Sequence, residues 1–389
     1  MDNHTKLLIV GAGPFGLSLS AYAKKLGIDH IIIGKPMEFW KMNMPKGMFL
    51  RSTCDWHLDV TNEYSIDKFL ETRLVTCKDV EPLSLDFYLE YAEWFIEQNQ
   101  LNIIPVYITE LYYNSDLSYK VICEDGTVLF AQNVVVAAGL KYFKHLPAEI
   151  IDRLPAGSYS HTCDFVNMAL MKDKRVLILG GRQSAFEWAA LLQEAGAKMI
   201  HISHRHNCPA FKTSEWAWVN DLVANLENDP AWFRKLSPEE KDDAGKRLWS
   251  EGRLKIEPWL EKRIMKQNVQ IWSSTQIGYC NRLANNELDI SLDNGTRFIV
   301  DHIIFATGYK VAISDLPFFA NGNILSGLSI QNDFPVLDES FQTNLPGLYI
   351  TGLPASQDFG PYFGFTITAR TSALLIGKAL INKSRGNQV

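Results

Sequence analysis

A CxxC pair is missing from this chain. Its six cysteines fall at Cys54, Cys77, Cys123, Cys163, Cys208 and Cys280, with no CxxC among them. That scatter excludes a CxxC dithiol centre, offers no zinc site or disulfide framework, and points to a reducing cytoplasm. An excess of basic charge is also missing. The 38 Lys and Arg stand against 44 Asp and Glu, a formal net charge of −6, so no cationic face for nucleic acid is expected. Long hydrophobic runs are absent as well. The stretch 372–381 is among the longest, is interrupted by polar residues, and is shorter than the ~20 residues a membrane span needs. The opening MDNHTKLLIVGAGPFG places no charged segment before a long apolar one, so no secretory leader is expected.

What is present suits a globular enzyme of more than one domain. With 389 residues, 47% of them apolar and 21% charged, the chain can bury two substantial cores. KLLIV at 6–10 reads as a buried parallel strand, GAGPFG follows at Gly11 to Gly16, LSLSAYAKKLG has helical spacing, and HIIIG is a second strand. That order is one βαβ unit. After an aromatic helical stretch at 86–98, taken as core, comes a ribbon turning at Asp125–Gly126 and ending in VVVAAG.

The plan then restarts. RVLILGGRQSAFEWAALLQEAGAKMIHISHR again gives strand, glycine-rich turn, helix and strand, and a second ribbon turns at Asn294–Gly295 and ends in IIFATGY. The two glycine loops lie about 170 residues apart, a spacing for tandem domains and not for a solenoid. The expected fold is therefore α/β, with two Rossmann-like dinucleotide-binding domains. The first is discontinuous, 1–165 and 309–389, and the second, 166–308, is inserted in it. Residues 207–265 interrupt the second domain. Ser237, Pro238 and Glu240 mark a helix start there, and five of the ten tryptophans cluster in it. Two readings stay open for this helical insertion: a small core of its own, or a lid that keeps water from a reaction site.

Each glycine of the first loop has a physical reason. Gly11 permits the tight turn, Gly13 lets backbone approach a pyrophosphate, and Gly16 allows helix and strand to pack closely, with Pro14 and Phe15 between them. The helix N-terminus then faces the phosphates. The acid expected at the end of the second strand, for the ribose, is replaced by Gly34–Lys35–Pro36, and the next carboxylate is Glu38. Lys35 is the expected substitute, and Trp40 and Leu111 are counted with the cofactor residues. In the second loop, Gly180, Gly181, Gln183 and Ser184 keep the turn compact, while Arg182 stands where a glycine is usual and is expected to donate to phosphate. His204 and Arg205 close the next strand, where an Arg suits the 2′-phosphate of NADP and a carboxylate would suit NAD. Small residues at crossing points (Ala137, Ala138 and Gly139; Ala306, Thr307 and Gly308; Gly352) are expected beside cofactor. A helix from about Gly364 could present its N-terminus to the flavin pyrimidine.

GAGPFG, GGRQSA, FATGY and PGLYITGLP, in that order, resemble the flavin-containing (class B) monooxygenase superfamily. Gly157, His161 and Phe165 match part of that family's fingerprint, whose leading Phe is Pro155 here. The resemblance implies FAD on the outer segments, NADPH on the middle domain, and reduced flavin that reacts with O₂ at C4a to give a peroxide that oxygenates a small organic substrate. The Asn that stabilises this adduct in several relatives has no clear counterpart. The corresponding loop MFLRSTCDWHLD offers Arg51, Ser52, Asp55 and His57, and a relay from Asp55 through His57 is one candidate. His161 is expected to orient the linker between domains. Two other functions stay open. One is an NAD(P)H-dependent flavin reductase passing electrons to a quinone, dye or protein. The other is a nucleotide-binding module without turnover. The oligomeric state, a homodimer included, is not set by the sequence.

Overall fold

The computed structural model describes residues 3–152, 154–164 and 167–386. Its first sheet is built on His4–Val10, in which residues 7–10 form an unbroken buried apolar run. That strand pairs in parallel with His30–Ile33 on one side and with Val128–Val136 on the other. Ile103–Ile104 extends the sheet beyond His30–Ile33, and the far half is an antiparallel ribbon of Ile108–Tyr113, Tyr119–Cys123 and Val128–Val136. Late in the chain, Leu348–Ile350 returns to pair in parallel with Val134 to Val136. The two ends of the sequence thus share one sheet. Pro14–Lys25 and the C-terminal helix Ile367–Gly386 pack together over it, closely enough that a Cβ on Gly377 would lie 2.7 Å from the Tyr22 ring.

The second sheet is wholly parallel, in the order Val269–Ser273, Met199–His204, Arg175–Leu179, His302–Phe305, Tyr159–His161. Parallel strands need crossovers, and Gln183–Glu194 supplies the one that buries Ala185, Phe186, Trp188 and Leu192 against the sheet. A separate three-stranded antiparallel ribbon, Ile277–Arg282, Leu288–Leu292 and Arg297–Val300, turns where Asn294–Gly295 predicts. The fold is thus α/β with two Rossmann-like layers, as expected. No helix among the described residues is long and apolar enough to cross a membrane.

The insertion has no core of its own. Trp216, Trp218, Val219, Val223, Leu226, Phe233 and Leu248 join the core of the first sheet, while Ile256, Leu260 and Ile264 join that of the second. It therefore straddles both layers. Its helix Pro238–Gly252 begins at a capping box in which Ser237 and Glu240 satisfy each other's backbone N–H groups.

Candidate active site

One cleft of about 760 Å³ is lined by both glycine loops. At the first, Gly11 has φ +110°, and a Cβ there would lie 2.2 Å from the Ala137 carbonyl oxygen. A Cβ on Gly16 would overlap the Gly11 carbonyl. Gly13 is different: nothing lies within 4 Å of its would-be Cβ, so the glycine keeps room on the cleft side. With Pro14 at the first helical position, the loop offers free N–H groups and an open surface, which fits a pyrophosphate. The second loop repeats this: Gly180 has φ +143° and abuts Ala306, and a Cβ on Gly181 would lie 2.3 Å from the His204 ring.

Most residues singled out from the sequence line this cleft: Phe15, Lys35, Trp40 and Arg51 on one side, Gln183, Ser184, His204 and Arg205 on the other. Ala138, Gly139, Ala306, Thr307, Gly308 and Gly352 line it where the layers meet. Leu111 does not. It is fully buried in the core of the ribbon, and Tyr107 and Ile108, earlier in the same segment, reach the cleft in its place. Lys35 reaches the cleft but is already engaged, 3.3 Å from the Glu124 carboxylate and over the Tyr107 ring at 4.6 Å.

The loop carrying Arg51, Asp55 and His57 is held, not free. Arg51 donates to Glu257 Oε1 at 2.9 Å, to the Gly252 carbonyl at 2.6 Å and to Ser214 Oγ, and lies over the Trp216 ring. It thereby clamps the insertion to the first layer. Phe49 N–H donates to Glu187 Oε1 at 3.3 Å, and Gln183 bridges Glu187 to the Glu257 backbone. The same clamp thus reaches the second loop's helix.

Asp55 and His57 are not among the residues that line the cleft, and they do not pair with each other. Asp55 is exposed and accepts from Thr53 and Asn220, whereas Arg370 of the C-terminal helix donates to His57 Nε2 at 2.7 Å. Burial, reinforced by Arg370, lowers His57 to about 4, so the ring is neutral near pH 7. No relay is assembled. His161 lies fully buried at the crossing and contacts the Gly308 carbonyl at 3.0 Å. Phe165 lies outside the described residues.

Two features escaped the sequence reading. The first is an aromatic wall, with Trp56 and Phe365 stacked at 6.1 Å and Trp216 edge-on to both. Beside it Ser52 and Thr366 meet at 3.2 Å, at the approach to the C-terminal helix. The second is Arg253, which the insertion brings into the cleft that Arg182 and Arg205 also line. Arg182 does not crowd the loop, because its guanidinium lies over the Trp249 ring at 4.1 Å. Among the described residues none of the three arginines meets a carboxylate at ion-pair distance. Burial and the charges of Arg253 and Arg205 push Arg182 down to about 10. Only the tryptophan cluster hinted that the insertion belonged to the site.

Burial also lowers His201 and His204 to about 4. Unfolding restores values near 6.5, so between these limits the unfolded chain binds more protons than the folded one. The stability these three neutral histidines contribute is complete above ~6.5 and is lost as pH falls toward 4. Urea midpoints are therefore expected to drop steadily from pH 7 to pH 5; a flat profile would remove this assignment.

Two nucleotide loops facing one cleft define a two-dinucleotide oxidoreductase. Residues 8–227, more than half the chain, match the pyridine nucleotide-disulphide oxidoreductase family, and the chain belongs to it. By that family it is an oxidoreductase that uses a pyridine nucleotide. A thioredoxin reductase of Mycoplasma genitalium is 22% identical over 91% of this chain and 88% of its own. A probable indole-3-pyruvate monooxygenase of Arabidopsis thaliana is 23% identical over 79% and 82%. The fold is similar to that of an ornithine N-hydroxylase from a Kutzneria species (TM-score 0.78, 15% identity, 98% of this chain and all of that one).

Proposed function

We propose that the protein is a monooxygenase that consumes NADPH and O₂ and transfers one oxygen atom to a small organic substrate. The net reaction joins substrate, NADPH, a proton and O₂ to give oxygenated substrate, NADP⁺ and water. The observation that carries this reading is the insertion. It lines a cleft shared by both nucleotide loops, and its Trp216 completes, with Trp56 and Phe365, an aromatic wall that a simple electron carrier does not need. FAD would lie along Gly11 to Gly16 and the small residues of the crossings, and NADPH along Gly180 to Ser184 with the arginines. Bound flavin would supply the two-electron chemistry between nicotinamide and O₂. The chain's own part is to align the two rings and to exclude water from between them. Trp56, Trp216 and Phe365 offer apolar surface, which suits a neutral or aromatic substrate.

The similarity to thioredoxin reductase supports a second reading, electron transfer to a quinone, dye or partner protein, although no CxxC is present to carry it. The two separate in one assay. NADPH oxidation is followed under ¹⁸O₂ with a panel of aromatic and amine substrates. Oxygenation predicts ¹⁸O in an organic product, formed in proportion to the NADPH used. Oxidation that yields only peroxide, or proceeds with a quinone and no O₂, would overturn it.

A further inference from the structure

Gly34 follows the second strand, and the structure shows why no acid can stand there. Gly34 has φ +136°, and a Cβ would lie 2.8 Å from Ala12 N and 3.2 Å from Gly11 Cα. The strand end presses against the glycine loop itself. Beyond it the chain reverses at Met37, left-handed at φ 53° and 1% exposed, whose N–H donates to the Ala12 carbonyl at 3.0 Å. That bond seats Glu38, the first residue of a short helix, against the glycine loop.

Glu38 lines the cleft together with Gly13, Pro14 and Tyr142. Its Oε2 is buried and has no hydrogen-bond partner. A buried carboxylate oxygen without a donor is costly, so the site is built for a donor that arrives with a ligand. Lys35, the neighbouring candidate, is held by Glu124 and carries donors where a diol needs an acceptor.

We propose that Glu38 is the acceptor for the adenosine ribose hydroxyls of FAD, moved four residues beyond the strand end because backbone contact closes position 34. The proposal rests on the reading of the first loop as the FAD site. The two vicinal hydroxyls donate to the carboxylate oxygens, and no proton is transferred.

The test is binding, not turnover. Flavin fluorescence is titrated with wild-type apoprotein, E38A and E38Q, using FAD, FMN and FAD with 2′-deoxyribose in its adenosine half. E38A is expected to bind FAD ~10–100-fold more weakly. FMN, which has no adenosine, should bind both proteins alike. The deoxy analogue should weaken binding to wild type but not further weaken binding to E38A. NADPH binding, unchanged in E38A, confirms that the variant is folded. G34E, which restores the acid at the usual place, should lose FAD instead of tightening it. If wild type binds FAD while E38A binds it equally well, the proposal is wrong and the assignment of the first loop to FAD survives. If wild type binds no FAD at all, both fall.

Discussion

Arg51→Ala is expected to lower folding stability by about 3–5 kcal/mol, the cost typical of breaking a buried ion pair by removing one partner. Its partner Glu257 is 4% exposed at the side chain, and Arg51 itself 16%. Without the guanidinium the Glu257 carboxylate is left buried and uncompensated. The Gly252 carbonyl and Ser214 Oγ are deprived of their donor in the same step. Because these bonds join the first layer to the insertion, the effect should appear in both cores at once, as a shift of the whole urea transition to lower midpoint. Arg51→Lys keeps the charge but not the planar fork, so it should recover only part. The double variant R51M/E257Q, which removes both charges, should recover more. The measurement is the urea midpoint followed by tryptophan fluorescence. If R51A unfolds with the wild-type midpoint yet turns over no substrate, Arg51 acts in the chemistry and not as a clamp.

The contrast between Arg51 and His57 shows what the sequence could carry. Both glycine loops, the ribbons turning at Asp125–Gly126 and Asn294–Gly295, and the capping box at Ser237 are local: each depends on a few neighbouring residues whose backbone needs are fixed by their chemistry. Those features appear where the sequence puts them. What Arg51 does depends on Glu257, 206 residues away. What His57 does depends on Arg370, 313 away. No spacing rule reaches such partners, so Asp55 and His57 looked like a pair only because they are neighbours in sequence. Leu111 fails for a related reason, because its strand turns it inward to the core. The insertion was recognisable as an interruption, but which face it covers follows from how Trp216 and Trp218 pack against the first sheet, a tertiary fact. The missing acid at Gly34 was visible as an absence. Its steric cause, and the buried oxygen of Glu38, required the fold.

The preference for NADPH over NADH that we propose rests on the arginines, and its disappearance on mutation is the second large effect expected. Arg182, Arg205 and Arg253 share the cleft near the second loop, and among the described residues none of them meets a carboxylate at ion-pair distance. Burial lowers Arg182, and the neighbouring charges of Arg253 and Arg205 add to it by repulsion. A dianionic phosphate is the ligand that relieves this repulsion, and of the two nicotinamide dinucleotides only NADP carries one beyond the pyrophosphate. Removing one charge-assisted hydrogen bond to that phosphate should weaken NADPH binding by roughly 10–100-fold. Arg205→Ala is therefore expected to raise the KM for NADPH by that factor and to leave the KM for NADH nearly unchanged. Arg253→Ala, made on the insertion, should weaken NADPH further, since its group comes from outside the βαβ unit. In R205A/R253A the preference should vanish. Raised salt should weaken NADPH more than NADH in wild type, and by less in each variant, because fewer fixed charges remain to be screened. Steady-state kinetics with both nucleotides at two ionic strengths decide it. Equal weakening of NADPH and NADH in R205A would place the arginines on the pyrophosphate and remove the basis for the preference.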